Sequence, residues 1–315
     1  MNRRQFIGGF GGLVAVSALP AWADDPSQFP SRGKYHRLML AYQQIEAGAT
    51  KPFSILHISD THLSDAYAHE DAKKQELRKN RTCCFGGRQE ESLRDSLDWA
   101  KANVDYVLHT GDLIDWQSEK NFDLVKKYFG DRMFGALGNH EYSRNMWLDK
   151  DVVRDDAYRR ETARRVEAVY PFDAALTSTV VNGVNFVCIR NIDGSVAPDQ
   201  VERFSKEVKK GLPIILCMHV PFYTERIWRA HEKFWVNNGR RFESSAVPAL
   251  RGDYLKQQDD ETTRDFIAFL KGEKLLKGIL AGHLHFTIQD RFSPTAMEYV
   301  IGGNYLFHGQ EILFT

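Results

Sequence analysis

The chain has 315 residues, 43% of them hydrophobic, and 42 basic residues balance 42 acidic ones, so its formal charge is zero. Such a length can bury one sizeable core or two small ones. Nothing in the charge balance calls for long nucleic acid or an acidic membrane surface, and four cysteines are too few for a disulfide scaffold.

Residues 1–23 read as an address. Arg3 and Arg4 precede a moderately apolar, glycine-rich run, and Ala21-Trp22-Ala23 supplies a small-residue cleavage site. The paired arginines followed by Gln5-Phe6-Ile7 resemble a twin-arginine signal. The twin-arginine translocase is then an expected partner, and the periplasm, or another exported location, the expected compartment. The run is too short and glycine-rich for a good spanning helix, so no stable membrane anchor is expected after cleavage. The mature chain would begin near Asp24. Loss of the two arginines takes the basic count from 42 to 40, a net charge of about −2.

Residues 24–50 read as a polar lead-in with an amphipathic piece at 35–47, and the main domain is expected over 51–315. Short apolar runs follow at 53–59, 104–110, 132–138, 185–190, 213–219 and 277–282. Between them lie amphipathic stretches at 88–103, 121–130, 156–170, 198–211 and 261–274, the fourth with Pro198 at a first helical position and Gly211 at a stop. This alternation predicts an α/β domain with a largely parallel sheet core. Residues 286–315 change to strand patterns with turn signals and are expected to close a sheet edge with antiparallel strands. Cys188 and Cys217 lie within apolar runs and read as small core residues, whereas Cys83 and Cys84 adjoin in a polar stretch and could oxidise.

Two segments are long for connections. The first insertion, 66–89, is basic and carries the cysteine pair. The second, 220–260, carries Phe222, Tyr223, Trp228, Phe234 and Trp235 with Arg226, Arg229, Arg240 and Arg241. It either lines a substrate site or packs its own aromatics.

The residues that follow the runs carry the chemistry. In α/β sheets functional groups gather beyond the carboxyl ends of the strands. The first run ends at Asp60-x-His62, the second at Gly111-Asp112-x-x-Asp115, and the third at Asn139-His140. The fifth ends at His219, and the sixth at His283-x-His285. Each piece alone has an ordinary structural explanation, such as a cap or a satisfied histidine. Five of six runs ending this way, using five of the eleven histidines, do not. His57 and His109 sit inside strands and read as structural, His69 as a solvated loop residue, and His231 and His308 have no evident partner.

The ordered set D-x-H, G-D-x-x-D, G-N-H-E, an isolated His, then G-H-x-H resembles the calcineurin-like metallophosphoesterase superfamily over residues 53 to 300. The resemblance implies a four-layer α-β-β-α sandwich with two metal ions at one end. It implies that Asp60, His62 and His285 hold the first ion, that Asn139, His219 and His283 hold the second, and that Asp112 bridges them. It also implies that His140 is catalytic and that Asp115 orients it. The chemistry is sound in itself. Mixed nitrogen and oxygen ligands suit divalent or trivalent ions such as Mn, Fe or Zn, and a shared carboxylate offsets the repulsion of two cations. A bridging water so activated would attack a phosphoester as hydroxide, with His140 protonating the leaving oxygen or steadying charge. Glu141 reads as a backbone brace. Purple acid phosphatases place a tyrosine where this chain has Asp115, so a tyrosinate-bearing iron centre is not expected.

The expected activity is hydrolysis of a small phosphomonoester or phosphodiester. The alternatives are a cyclic-nucleotide phosphodiesterase or nuclease of the same superfamily and a non-catalytic metal-binding scaffold. A zinc protease is not expected, because the chain contains no H-E-x-x-H segment.

Overall fold

The computed structural model describes residues 37–130, 132–149, 156–192, 194–237 and 260–315. The expected export signal, Arg240 and Arg241 lie outside these residues. In chain order the elements are β1 (Met39–Ile45), β2 (Phe53–Ile58), α1 (Ala72–Cys84), α2 (Gln89–Asn103), β3 (Tyr106–Thr110) and α3 (Glu119–Tyr128). Then come β4 (Met133–Ala136), α4 (Asp156–Glu167), β5 (Leu176–Val181), β6 (Val184–Ile189), α5 (Pro198–Val208) and β7 (Ile214–Cys217). The chain finishes with α6 (Glu225–Asn237), α7 (Glu261–Gly272), β8 (Leu276–Ala281), β9 (Ile288–Arg291), β10 (Met297–Val300) and β11 (His308–Phe314).

All six apolar runs are strands, and the five amphipathic stretches are α2, α3, α4, α5 and α7. The strands form two sheets, ordered β1-β11-β2-β3-β4 and β5-β6-β7-β8-β10-β9. The neighbours β2-β3-β4 and β6-β7-β8-β10 are all parallel. Alternation along a strand explains how the sheets stack. Phe186 and Cys188 of β6 face a core between the sheets, against Phe53, Ile55, Leu108 and Phe134. Val187 and Ile189 face the other way, onto Phe204 of α5, Trp228 of α6 and Phe266 of α7. On the first sheet α2 lies against β3. The layers are therefore helix, sheet, sheet and helix, as the resemblance implied. Phe186 is fully buried, and its ring centroid lies 5.2 Å from that of Phe134 and 5.1 Å from that of Phe314. Truncating it to alanine would cost about 3–5 kcal/mol.

Several elements go beyond the sequence reading. The lead-in contains β1, an edge strand parallel to β11, with Met39 and Tyr42 exposed. The C-terminal strands do more than close an edge. Only β9 is an antiparallel edge strand; β10 pairs parallel with β8, and β11 crosses to the first sheet, between β1 and β2. Both insertions hold helices, α1 in the first and α6 in the second. Ile227 and Trp228 of α6 join the buried core beside Phe222, and Phe234 lies 4.9 Å from Phe286, so these aromatics pack inward. Cys188 and Cys217 are buried side by side in the β6–β7 register, while Cys83 and Cys84 are exposed; all four are free thiols. Among the described residues no helix is long and apolar enough to cross a membrane.

Candidate metal centre

Strand exits from both sheets meet at one edge, and short backbone contacts tie them together. Asp60 N–H donates to Gly111 O and His62 N–H to Asp112 O, each at 2.9 Å, joining the first two exits. Gly282 N–H donates to His219 O at 3.0 Å, joining the last two. Two bonds cross between the sheets. His283 N–H donates to Asp60 Oδ2 at 2.8 Å, and His219 Nδ1 donates to Thr110 O at 2.8 Å. Glycine permits such approach. A Cβ on Gly138 would sit 2.1 Å from Asp112 Oδ1, and one on Gly282 would sit 1.9 Å from Ser59 Oγ.

Six of the seven expected ligands converge, with His140, as three overlapping groups that could hold metal ions, the facing atoms of each within 4.8 Å of one another. Asp60, His62 and His285 form one, Asp112, His219 and His283 another, and His62, Asp112 and His140 lie between. His285 Nε2 is 3.1 Å from His62 Nε2 and 3.3 Å from Asp60 Oδ1. His219 Nε2 is 3.1 Å from Asp112 Oδ2 and 3.3 Å from His283 Nδ1. Asp112 Oδ2 is also 3.8 Å from both His62 Nε2 and His140 Nε2, so this one oxygen faces all the groups.

The donor set fits cations. Asp60 spends Oδ2 on the His283 amide; among the described residues its buried Oδ1, though 3.3 Å from His285 Nε2, accepts no well-aligned hydrogen bond, and neither does the buried Oδ1 of Asn139. Buried oxygens of this kind are costly without a positive partner. The electrostatics agree. Burial works against charge on His62, but Asp115, Asp60 and Asp112 outweigh it and push its pKa up to about 10. Burial likewise opposes charge on His219, and Asp112 and Asp60 carry it up to about 9. Burial alone would raise the Asp60 and Asp112 carboxyls, yet the surrounding histidines hold both well below the usual range.

Around this ring lies a set of braces. Asp115, fully buried, has Oδ1 2.9 Å from His62 Nδ1 and 2.8 Å from His140 Nδ1, and its backbone O accepts from His140 Nδ1 at 3.0 Å. It orients both imidazoles, one more than the resemblance implied. Arg81 of α1 clamps the same carboxylate through two nitrogens, Nη2 at 2.7 Å from Oδ1 and Nε at 2.5 Å from Oδ2. Burial would raise the Asp115 pKa, but Arg81, His140 and His62 hold it well below the usual range. Phe85, four residues further along, stacks on His62 at 4.3 Å, and the Arg81 guanidinium carbon lies 4.7 Å from the Phe85 ring centroid. Tyr305 Oη sits 3.3 Å from His285 Nδ1, the ring nitrogen turned away from the cluster.

Glu141 is a brace, as expected. Its carboxylate accepts from the amides of Gly138, Asp112, Leu113 and Ile114 at 2.7, 2.9, 2.6 and 3.2 Å and from Tyr170 Oη at 3.2 Å. Asn191, after β6, does the same for His219. Its Oδ1 accepts from His219 N–H and Val220 N–H at 3.2 and 3.1 Å, and its Nδ2 donates to Val220 O at 2.6 Å. The sequence reading missed Arg81, Phe85, Asn191 and Tyr305. Arg81 and Phe85 do share a helix face at i,i+4 spacing. His57 and His109 are structural. They meet the hydroxyls of Thr110 and Thr61 at 2.9 and 3.0 Å, and burial lowers their pKa values to about 4 and about 3. His69 pairs with Glu119 on the surface.

Comparison with known proteins gives the frame a family. The DNA double-strand break repair protein Mre11 of Methanosarcina acetivorans is 34% identical over 104 residues, which are 30% of this chain and 15% of that protein. The chain thus spans about 15% of the length of the curated relatives it matches. A dimetal phosphatase from Danio rerio superposes with a TM-score of 0.46 and 13% identity, over 80% of this chain and 88% of that one. A putative 5'-nucleotidase from Staphylococcus aureus superposes with a TM-score of 0.42 and 13% identity, over 81% and 49%. The sequence model for calcineurin-like phosphoesterases spans residues 53–287, from the first strand exit through the last pair of histidines. The chain belongs to the calcineurin-like phosphoesterase family.

Proposed function

We propose that this protein is a dimetal-dependent hydrolase of small phosphomonoesters or phosphodiesters. Its ligands are Asp60, His62 and His285 at the first ion, Asn139, His219 and His283 at the second, with Asp112 shared. The observation that carries this reading is the pairing of two ligand groups through Asp112 Oδ2, with buried oxygens on Asp60 and Asn139 that accept no hydrogen bond among the described residues. Mn, Fe or Zn bound there would supply a water activated as nucleophile and charge to screen the phosphoryl oxygens. The chain's residues do the rest. Asp115 holds His140 through Nδ1, so Nε2, 3.8 Å from Asp112 Oδ2, is turned to the centre. From there it can deliver a proton to the leaving oxygen. Arg81 keeps Asp115 charged and fixed, so the imidazole does not rotate away.

The reading of residues 1–23 as a twin-arginine signal makes this an exported, periplasmic enzyme, which cell fractionation tests. The ester is tested with p-nitrophenyl phosphate and bis-p-nitrophenyl phosphate on metal-loaded protein. Turnover should vanish on chelation and return with Mn²⁺. His140→Ala should keep both ions and lose about 10²–10⁴-fold in turnover. A protein that holds two ions and hydrolyses neither ester would be a binding scaffold, and the proposal would be wrong.

A further inference from the structure

Five of the six strand exits deliver expected ligands or the catalytic histidine. The exit of β6 delivers Arg190 and Asn191 instead. Cys188 and Cys217 are register partners on the parallel strands β6 and β7, and both face the core between the sheets. Arg190 and His219 each follow two residues after that pair, just past the ends of β6 and β7. The extended backbone continues through Arg190, whose N–H donates to Ala175 O at 3.1 Å. Asn191 then ties the two exits together through its bonds to His219 and Val220. The Arg190 guanidinium carbon lies 5.7 Å from the ring centroid of Tyr142, two residues past His140. Arg190 therefore lies between the exit that Asn191 ties to His219 and the segment that carries Asn139, His140 and Tyr142.

This arginine is half-buried, and among the described residues no carboxylate pairs with it. The other arginine at the centre, Arg81, is committed to Asp115. A partly desolvated guanidinium at the rim of a cationic centre calls for an anion from outside the chain. We propose that Arg190 is a substrate-binding residue whose fork takes a charged phosphoryl oxygen, and that it favours phosphomonoesters over phosphodiesters. A phosphomonoester is largely a dianion above its second pKa of about 6, whereas a diester keeps one charge. The extra charged oxygen is the one a further cation can select. The planar guanidinium also matches two phosphate oxygens at once, which a lysine cannot.

This inference rests on the phosphoester reading, but inorganic phosphate tests it without turnover. Calorimetry on metal-loaded Arg190→Met should show phosphate binding weakened about 10- to 100-fold, the loss expected for a charged hydrogen bond. Elemental analysis should show both ions retained. The kcat/KM for p-nitrophenyl phosphate should fall by a similar factor, and that for bis-p-nitrophenyl phosphate by less than about 3-fold. Arg190→Lys should recover part of the phosphate affinity. The proposal is overturned by phosphate affinity in Arg190→Met within about twofold of wild type, or by equal losses on the two esters. Failure of wild type to bind phosphate, or loss of ions from the variant, overturns it as well; the latter would make Arg190 a structural support. If wild type hydrolyses neither ester yet binds phosphate through Arg190, the anion site stands and the phosphoesterase reading falls.

Discussion

Glu298 is fully buried on β10, where its Oε1 accepts from Phe222 N–H at 2.7 Å, three residues past His219. Among the described residues its Oε2 accepts no hydrogen bond. Burial pushes this carboxyl up from 4.5 to about 8; the Phe222 amide opposes the shift, and Asp290, its partner across β9 and β10, adds to it. An unfolded chain ionises Glu298 near 4.5, and the folded one only near 8. Between those values the unfolded state binds fewer protons, so stability falls as pH rises and is level on either side. At about 1.4 kcal/mol per pH unit the full effect is on the order of 5 kcal/mol. Glu298→Gln keeps an acceptor for Phe222 and abolishes the titration. Urea denaturation of both proteins in the same metal state, at about pH 5, 7 and 9, isolates the difference from every other titrating group. The variant should gain several kcal/mol relative to wild type between the two ends. A difference constant to within about 0.5 kcal/mol would mean that Glu298 is ionised throughout and that burial does not govern it.

Two further outcomes follow from the braces. Asp115→Asn puts a neutral amide against two imidazoles and Arg81; turnover should drop about 10²–10⁴-fold and affinity for the first ion about 10- to 100-fold, measured by steady-state rates across a metal titration. Unchanged rates at saturating metal would show that His140 needs no orienting carboxylate. Asn191→Ala removes three hydrogen bonds from the His219 exit, so the second ion should bind about 10- to 100-fold more weakly while the first stays. Elemental analysis after dialysis should then approach one equivalent of metal, and two retained equivalents would refute the role of Asn191.

The sequence made the strands and the polar tips legible because both are local patterns. An apolar run followed by Asp-x-His or Gly-His-x-His needs no partner to be recognised. What it hid was anything set by pairing across the fold. In β1, Met39 and Tyr42 are exposed at a sheet edge, so the strand lacks a buried periodicity and read as a lead-in. The crossing of β11 into the first sheet depends on its register with β2, which no local pattern encodes. Arg81 looked like one more charge in a basic insertion, since which face of α1 meets Asp115 is decided by tertiary packing. Asn191 was invisible for the same reason. An asparagine after a strand becomes a clamp only when the neighbouring strand presents His219 and Val220 to it. Glu141 was the exception, because it sits three residues from Gly138 and its backbone role is partly local.

The braces answer a strain that the expected ligands carry. Asp60, His62, Asp112, His283 and His285, five of the seven, have φ between 52° and 70°, in the left-handed region. Side chains other than glycine occupy it at a cost of about 1–3 kcal/mol each, and only where surrounding contacts over-determine the backbone. At the exits of β2, β3 and β8 the backbone turns out of the extended strand through these residues. The contacts that impose it are the amide bonds between exits, the Glu141 carboxylate beneath Gly138 and Asp112, and the glycines that admit a neighbour where a Cβ would collide. Within Gly138-Asn139-His140-Glu141 the four residues divide the work. Gly138 allows close approach, Asn139 offers an expected ligand oxygen, His140 presents an oriented imidazole, and Glu141 braces the neighbouring exit. An apolar strand stops at these residues because its last atoms serve the rim where the two sheets meet, and there polar groups find partners that the core could not give them.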